Sequence, residues 1–556
     1  MDPEEAPRVR PIRFGILGPG TTLRAWQVRT IEALLDQPGV QLRLRIIPEA
    51  GRQLPRPIRP GPRDRILFRT VGELVRPRAF QTVDMAQRLR DVDVLTLRGS
   101  TGDRSAPPLD ESELRRLRDH DLDFILRFDA AQARGEIRRA ARYGVWSFRH
   151  DEGLREDSGL PGFWEIYNGE SVIETRLLRL TNGEGEGIIL RRGFFKTALH
   201  SLSRTIDEVC FGSARWPAQV CRDIQSGRAD YLDDIPSPID PVVARSPTNT
   251  ETLRFLARQT RNAIRRADKG LRHHEEWSIG IVEAPIAAFL EPTERLEVRW
   301  LRPPGDGRFV ADPFGVEFDG AAHILYEDFD YRSSKGTIAT MPATAEQAPS
   351  PPVQAIELPV HASYPYLLVD RGEIYCIPET HEAREVSLYR AIEFPVRWEK
   401  SATLVKGVAA LDSTVFLHDG RWWLACTDQD AGKDLHLFLW HAPALTGPWE
   451  PHPLNPVKTD VRSSRPAGTP FVHRGVLYRP AQDCSTSYGG GIVVNRVLRL
   501  TSTDFLEEFA IGIEPFVDGP FPDGIHTLSS VGDMTLIDSK RYRFIPSAIP
   551  FVLRGE

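Results

Sequence analysis

The chain has 556 residues, of which 41% are apolar and 27% charged, with a net charge of −6. This composition is typical of a globular protein with several domains, and the acidic balance argues against nucleic acid as a main partner. No run of about 18 apolar residues occurs, and the N-terminus lacks the apolar core of a signal peptide, so neither a membrane span nor secretion is expected. The five scattered cysteines predict free thiols in a reducing cytoplasm and no metal site.

The first part of the chain alternates between short apolar strands and helices. An apolar strand covers Arg13–Leu17, helical spacing follows over Ala25–Leu35, and an alternating strand covers Gln41–Ile47. This alternation predicts an α/β domain with a doubly wound parallel sheet, which we place at residues 1–222. The turn after the first strand reads GILGPG rather than GxGxxG, so a dinucleotide site is not expected.

A Pro- and Asp-rich stretch follows and predicts a linker. Behind it, Thr250–Lys269 has helical periodicity, with basic residues late in the segment, where the helix dipole favours them. We assign residues 223–275 to this linker and helix.

From Trp277 onward the sequence shows one predicted strand after another, with turn signals between them. This pattern favours an all-β five-bladed propeller over residues 276–556, with a sandwich or solenoid as the alternative. The clearest unit is Arg308–Lys335, where two alternating strands flank an Asp319-Gly320 hairpin turn. Asp312 precedes a proline in this unit, which predicts an extended backbone that aims its carboxylate.

In each predicted blade, a short group of polar residues stands at a similar place in the strand pair. We call each group a polar corner. The innermost strands of a propeller surround a central funnel, so we expect these corners to converge. Glycosidic cleavage needs one carboxylic acid and one carboxylate, and two of Asp312, Glu379 and Asp412 would supply them while the third tunes a pKa. The alternative is that these carboxylates cap turns and bind arginines between blades. The further candidates, for substrate binding, are Glu327, Arg479, Asp483 and His526.

Five motifs carry a family resemblance in this half of the chain: Ala311–Phe314, Ile377–Thr380, Asp412–Thr414, Arg479–Asp483 and Gly524–Thr527. With them the chain resembles the five-bladed propellers of family-43 and family-32 glycoside hydrolases. It resembles more closely the N-terminal propeller of plant glucosamine inositolphosphorylceramide transferases and their bacterial relatives. The resemblance implies Asp312 as the base and leaves the acid open between Glu379 and Asp412. The plant proteins have a separate transferase domain that this chain lacks, so their transferase activity is not expected here.

Residues 121–193 carry a second resemblance, through the segments DLDFILRF, GVWSFRH, PGFWEIYNGE and LTNGEGEGIILRRG. They resemble the formyltransferases that use formyl-tetrahydrofolate, whose Asn-x-His motif stabilises an oxyanion. Here Ser147 and Arg149 stand at the motif positions and His150 comes one residue late, on the opposite face of a strand. The resemblance therefore implies either ligand binding or a modified reaction that uses His150 and Glu184.

Two functional hypotheses follow. In the first, the protein is a carbohydrate enzyme: the propeller binds or cleaves a glycan or sugar conjugate, and the first half recognises or formylates an amino sugar, with a carbohydrate or sugar nucleotide as ligand. In the second, it is a non-catalytic glycan-binding scaffold made of two degenerate enzyme folds. A tRNA formyltransferase is disfavoured by the acidic balance and the missing Asn-x-His.

Overall fold

The computed structural model describes residues 10–18, 20–48, 63–97, 109–128, 135–150, 160–181, 186–238, 246–272, 274–291, 296–305 and 307–544. The chain divides into two compact units, residues 1–263 and 264–556. All five cysteines are buried free thiols. Within the described ranges, no helix is both long and apolar enough to cross a membrane.

The first unit contains ten strands in its described part. They are β1 Ile12–Leu17, β2 Thr22–Arg24, β3 Val40–Pro48, β4 Thr82–Asp84, β5 Asp93–Leu97, β6 Phe124–Arg127, β7 Val145–Phe148, β8 Val172–Leu180, β9 Glu186–Lys196 and β10 Ser237–Pro238. Eight of them form one sheet in the order β5-β3-β1-β6-β7-β8-β9-β10. The pairs from β5 to β7 are parallel, which confirms the predicted α/β sheet, whereas β8, β9 and β10 extend it in antiparallel fashion.

The α-helices described up to residue 272 are α1 Ala25–Leu35, α2 Ile66–Leu74, α3 Glu111–Arg118, α4 Phe163–Asn168, α5 Leu202–Ser213, α6 Trp216–Gln225 and α7 Asn249–Arg272. Among them, α1 contacts β3, α3 contacts β5, and α5 contacts β8 and β9 of the sheet. In α1, Trp26, Ile31 and Leu34 are buried at helical spacing, as an amphipathic helix requires. Residues 86–90 form a turn rather than a helix, and Met85 and Leu89 are buried there.

The second unit is almost entirely β-structure where it is described. Its elements are β11 His274–Val282, β12 Val298–Trp300, β13 Arg308–Phe318, β14 Ala321–Asp330, β15 Lys335–Pro342, β16 Val353–Ile356, β17 Ser363–Asp370, β18 Glu373–Glu379, β19 Glu385–Glu393, β20 Arg397–Lys406, β21 Ala410–His418, β22 Arg421–Asp428, α8 Gln429–Gly432, β23 His436–Ala442, β24 Glu450–Pro451, β25 Lys458–Thr459, β26 Phe471–His473, β27 Val476–Asp483, β28 Gly491–Leu500, β29 Phe505–Ile513, β30 Gly524–Val531 and β31 Met534–Arg543. Five antiparallel sheets result, which confirms the five-bladed propeller.

One blade combines the two ends of the propeller sequence. Its strand order is β12-β11-β31-β30, and β11 pairs with β31 from His274–Arg543 to Val282–Thr535. Because the first strands of the propeller pair with the last ones, the ring of blades is closed. This closure places His526, near the C-terminus, in the blade next to β13, which carries Asp312.

The predicted hairpin turn joins β13 to β14. Asp319 and Gly320 have φ values of +49° and +74°. Two successive left-handed residues are typical of a tight hairpin whose twist matches the strands, and Asp-Gly is a preferred pair for it. The turn therefore fixes the register of β13 against β14, which pairs Ala311 with Glu327.

Candidate active site in the propeller centre

Four innermost strands carry a register shift at the same place. The shifts lie between Ala311 and Phe314 in β13, Ser363 and Tyr366 in β17, Leu411 and Thr414 in β21, and Ile525 and Leu528 in β30. Such β-bulges re-aim a side chain next to functional sites. Three of the bulges contain a residue with left-handed backbone, namely Asp312 (φ +52°), Tyr364 (φ +44°) and Asp412 (φ +52°).

The prediction of an extended backbone at Asp312 is therefore wrong, because the residue is left-handed. The following proline is not the cause of its geometry, because Asp412 has the same φ and is followed by Ser413. The bulge turns both carboxylates in the same way in their blades. Asp residues tolerate this left-handed conformation better than most non-glycine residues do.

Asp312 is 4% exposed and accepts hydrogen bonds from two neighbouring blades. The Tyr364 N–H donates to Oδ2 at 3.2 Å and the Thr527 hydroxyl donates to Oδ1 at 3.0 Å. Burial raises the pKa of Asp312 to about 6; His526 opposes this effect, while Asp538 and Glu379 reinforce it. Asp312 is therefore mostly ionised at pH 7 but close to its titration range.

Asp538, on β31, organises the neighbouring corner. Its carboxylate accepts the backbone N–H groups of Asp312, His526 and Thr527 at 2.9–3.1 Å. It also lies 2.7 Å from the Nδ1 atom of His526. Burial lowers the pKa of His526, but Asp538 and Asp312 outweigh burial and raise the pKa above its ordinary value.

The same corner offers three potential metal-ligand atoms, one each from Asp312, His526 and Asp538, within 4.8 Å of one another. However, both Asp538 oxygens already accept backbone N–H groups, and its Oδ2 faces the His526 ring nitrogen. These groups satisfy one another, so we assign no metal here.

Glu379, at the end of β18, is held in its ionised form. The backbone N–H of Asp412 donates to Oε2 at 2.9 Å, and Nδ1 of His381 lies 3.1 Å from Oε1. Burial disfavours the charge, but the His381 hydrogen bond, the Arg465 guanidinium at 4.0 Å and the Asp412 N–H lower the pKa of Glu379 to about 2. Glu379 is thus a permanent negative charge beside Asp412.

Asp412 is bound by two side chains from farther along the chain, Arg465 before β26 and Gln482 on β27. Arg465 donates from Nε to Oδ2 at 2.5 Å and from Nη2 to Oδ1 at 3.3 Å, and Gln482 donates to Oδ2 at 2.7 Å. Arg465 also pairs with Asp434 at 3.1 Å. Burial raises the pKa of Asp412; Arg465 opposes this effect and Glu379 reinforces it. Arg465 and Gln482 were not among the predicted site residues, although both stand in polar corners of the sequence.

Aromatic rings flank the carboxylate cluster. Trp277 stacks on His526 with ring centroids 3.9 Å apart, and the Tyr488 ring lies 5.2 Å from His526. The Arg465 guanidinium lies 4.9 Å above Tyr488, and the Lys540 ammonium lies 5.0 Å from the Trp277 ring. Aromatic faces beside carboxylates and cations suit a sugar, which presents both C–H faces and hydroxyls.

The remaining propeller candidates separate into two groups. Glu327 on β14 is 7% exposed. Burial raises its pKa, and the charges of Asp312 and Glu379 raise it further, so Glu327 belongs to the central cluster. Arg479 instead binds Glu507 at 2.6 and 2.8 Å, and Asp483 accepts the Ser485 N–H at 2.8 Å. These contacts do not reach the central carboxylates.

The candidates of the first unit lie at the end of β7. Ser147 accepts hydrogen bonds from Arg127 at 2.7 and 3.1 Å, and Arg149 is partly buried. His150 is buried; its Nε2 lies 3.2 Å from the Ser213 hydroxyl and its Nδ1 3.8 Å from the Cys210 thiol. Glu184 lies outside the described residues.

Residues 304–516 match the family described as "Glucosamine inositolphosphorylceramide transferase 1, N-terminal". This segment resembles the N-terminal domain of those transferases. One relative, glucosamine inositolphosphorylceramide transferase 1 of Arabidopsis thaliana, is 29% identical over 265 residues, covering 43% of this chain and 34% of the relative. The chain thus spans about a third of that relative's length. Four of the five motifs lie inside the matched segment, and Gly524–Thr527 lies beyond it.

Two solved structures are each similar to a part of the chain. A family 117 glycoside hydrolase of Zobellia galactanivorans is 13% identical, with a TM-score of 0.30, covering 49% of this chain and 91% of the other. Glycinamide ribonucleotide transformylase 1 of Symbiobacterium toebii is 19% identical, with a TM-score of 0.25, covering 39% of this chain and 89% of the other.

Proposed function

We propose that the propeller binds a glycan or sugar conjugate at its centre and cleaves a glycosidic bond. The observation that carries this proposal is the linked cluster of buried carboxylates with separated proton affinities. The pKa of Glu379 is lowered to about 2 and that of Asp312 is raised to about 6, although the two belong to neighbouring blades. Environments that push carboxyl pKa values apart allow one site to hold a base and an acid together.

In this proposal Asp312 is the base. Two hydrogen bonds fix its carboxylate, and its pKa lies near neutral pH, which favours both ionisation and proton uptake. Glu379 does not titrate near neutral pH, so its role is electrostatic: its charge stabilises the positive charge that develops on the sugar ring in the transition state. Trp277 and Tyr488 supply aromatic faces for the sugar.

A screen of purified full-length protein against a panel of aryl glycosides tests the proposal. We expect turnover of at least one glycoside, with loss of that turnover in Asp312→Asn. The absence of turnover across the panel in folded protein would count against cleavage, and full activity in Asp312→Asn would remove Asp312 from the base role.

The second candidate is a non-catalytic glycan-binding protein. It is favoured by Asp412, whose two oxygens are both occupied by Arg465 and Gln482, as in a structural ion pair. A glycan array distinguishes the two. Binding that survives the combined Asp312→Asn, Glu379→Gln and Asp412→Asn substitutions, in a protein whose parent lacks turnover, supports the binding reading.

For the first unit we propose recognition of an amino sugar. Formyl transfer from formyl-tetrahydrofolate fits less well, because the Ser147 hydroxyl accepts from Arg127 and both His150 ring nitrogens face groups of α5. We therefore assign no step to that donor. After incubation with formyl-tetrahydrofolate and amino-sugar nucleotides, we expect the protein to bind the amino-sugar nucleotide without forming a formylated product. A formylated sugar would overturn the assignment of binding without formyl transfer.

Residence in a reducing cytoplasm stays a proposal, supported by the five buried free thiols. A thiol count on protein isolated from its native source tests it, since secretion through an oxidising compartment would favour disulfides or modified cysteines.

A further inference from the structure

Glu327 differs from the other carboxyl groups of the propeller centre in its hydrogen bonding. Asp312 accepts bonds from Tyr364 and Thr527, Glu379 from the Asp412 N–H, Asp412 from Arg465 and Gln482, and Asp538 from three backbone N–H groups. No described residue donates a hydrogen bond to the Glu327 carboxyl group. Its side chain is 9% exposed, so the group is nearly buried but still accessible to solvent.

The nearest ionisable partner of Glu327 is a histidine whose tautomer is fixed by the backbone. The Gly336 N–H donates to Nδ1 of His361 at 2.9 Å, so Nδ1 carries no proton and the ring proton is on Nε2. Nε2 lies 3.6 Å from Oε1 of Glu327. The His361 side chain is 22% exposed, so its ring lies between solvent and the nearly buried carboxyl group.

Gly336 makes room for this pair. A Cβ atom at this position would lie 2.3 Å from Oε1 of Glu327 and 2.9 Å from Cε1 of His361. Every other residue type would therefore displace the carboxyl group or the ring. The position combines a backbone donor for His361 with the absence of a side chain, both of which the arrangement requires.

The charges around the pair favour a neutral Glu327. Burial raises its pKa well above the ordinary value, and four carboxylates reinforce this effect: Asp312, Glu379, Asp328 and Asp538. Burial lowers the pKa of His361, with smaller effects from Glu379, His381, Glu382 and Lys335. Both effects favour the uncharged pair, a carboxylic acid beside a neutral imidazole.

We propose that Glu327, rather than Glu379 or Asp412, is the proton donor of the site, and that His361 is the positioning residue whose Nε2–H faces the Glu327 carboxyl group. This inference rests on the proposed glycosidic cleavage. The Glu327 proton passes to the leaving oxygen as its bond to the anomeric carbon breaks, and that bond's electron pair stays on the oxygen. Water adds to the anomeric carbon and gives its proton to Asp312, after which Asp312 releases a proton to solvent and Glu327 regains one from solvent water.

A leaving-group comparison tests the donor role. Glu327→Gln is measured on two glycosides of the sugar that the wild type accepts, one with a phenyl group and one with a dinitrophenyl group, which departs without a proton. We expect kcat/KM to fall roughly 10²–10⁴-fold on the phenyl glycoside, and less than about tenfold on the dinitrophenyl glycoside. Equal losses on both substrates, or no loss on either, would overturn the donor role.

Matched variants separate this role from a structural one. Asp312→Asn should lose activity on both glycosides, because the base is needed whatever the leaving group. Glu317→Gln, at an exposed position of β13, should change neither. His361→Gln should move the alkaline limb of the pH–rate profile with little change in KM, because the imidazole beside Glu327 is lost; an unchanged profile would remove His361 from the positioning role.

Infrared spectroscopy tests the proton on Glu327 without any substrate. The wild type at pH 7 should show a protonated-carboxyl C=O band that is missing from folded Glu327→Gln, and identical spectra would overturn the inference. If the wild type turns over no glycoside, the proposed function fails by itself, and this band alone decides whether Glu327 holds the proton.

Discussion

The propeller centre and the end of β7 each hold a buried histidine, but the two rings have different neighbours. His526 faces two carboxylates, with Nδ1 2.7 Å from Asp538 and 3.8 Å from Asp312. His150 faces the Ser213 hydroxyl and the Cys210 thiol, and its ring contacts Trp26 and Phe148. A nearby carboxylate stabilises an imidazolium. The two carboxylates beside His526 therefore equip it for acid–base chemistry, whereas the contacts described for His150 are hydrogen bonds and ring packing.

The largest expected effect concerns the base. Asp312→Asn should reduce glycoside turnover roughly 10²–10⁴-fold, because an amide cannot take a proton from water. The amide oxygen can still accept the Tyr364 N–H, so circular dichroism should show an intact fold. Asp319→Asn, in the exposed turn of the same hairpin, serves as control and should keep full activity. Wild-type turnover in Asp312→Asn would break the contrast between the two regions.

Removing the central cation should destabilise the propeller. Arg465→Met leaves Asp412 and Asp434 without their shared partner, and breaking a buried ion pair costs about 3–5 kcal/mol. A urea unfolding curve of the full chain measures this cost. Arg474→Met, at a side chain that is 79% exposed, should cost less than about 1 kcal/mol. Equal midpoints for the two variants would mean that Arg465 does not hold the cluster together.

Glu507 predicts a pH dependence outside the site. Burial opposes its charge, but Arg479 and Lys458 lower its pKa from 4.5 to about 2. A lowered pKa stabilises the folded state above pH 4.5, and this contribution disappears as the pH falls towards 2. Glu507→Gln should thus reduce the free energy of unfolding by about 3 kcal/mol at pH 7, at about 1.4 kcal/mol per pH unit.

The pH series provides its own check. The difference between wild type and Glu507→Gln should shrink below pH 4.5 and vanish near pH 2. Glu508→Gln, next in sequence, pairs with Arg496 on the surface and should have little effect at any pH. A difference that does not change with pH would show that shape, rather than charge, explains the loss.

The smallest expected effect concerns His150. His150→Gln should cost about 1–2 kcal/mol of stability, because the Ser213 bond and the ring packing are lost. It should leave glycan binding unchanged, whereas His526→Gln should weaken it. Loss of amino-sugar binding in His150→Gln would place this histidine in a ligand site and remove the contrast.

Much of the fold follows from local sequence patterns. The alternation in Arg308–Lys335 predicts two strands, and Asp319-Gly320 predicts their turn, because both depend on neighbouring residues only. The periodicity of Thr250–Lys269 predicts α7 for the same reason. The antiparallel strands β8 to β10 were not recognised as an extension of the parallel sheet, since strand direction depends on long-range pairing.

The candidate site was predictable only in its outline. Asp312, Glu379 and Asp412 were selected because polar corners recur from blade to blade, and the structure places all three in one cluster. Arg465, Gln482 and Asp538 were missed as site residues, because their roles depend on contacts across 53, 70 and 226 residues of sequence. Periodicity carries no information about such distant partners.

The sequence alone thus determined which residues form strands, turns and polar corners, because these follow from local backbone preferences and side-chain alternation. Only the tertiary structure decided the bulges that turn Asp312 and Asp412 inward and the closure that brings His526 to Asp312. It also decided the charge state of each carboxyl group. A pKa depends on burial and on charges from several blades, and the folded ring is what brings those charges together.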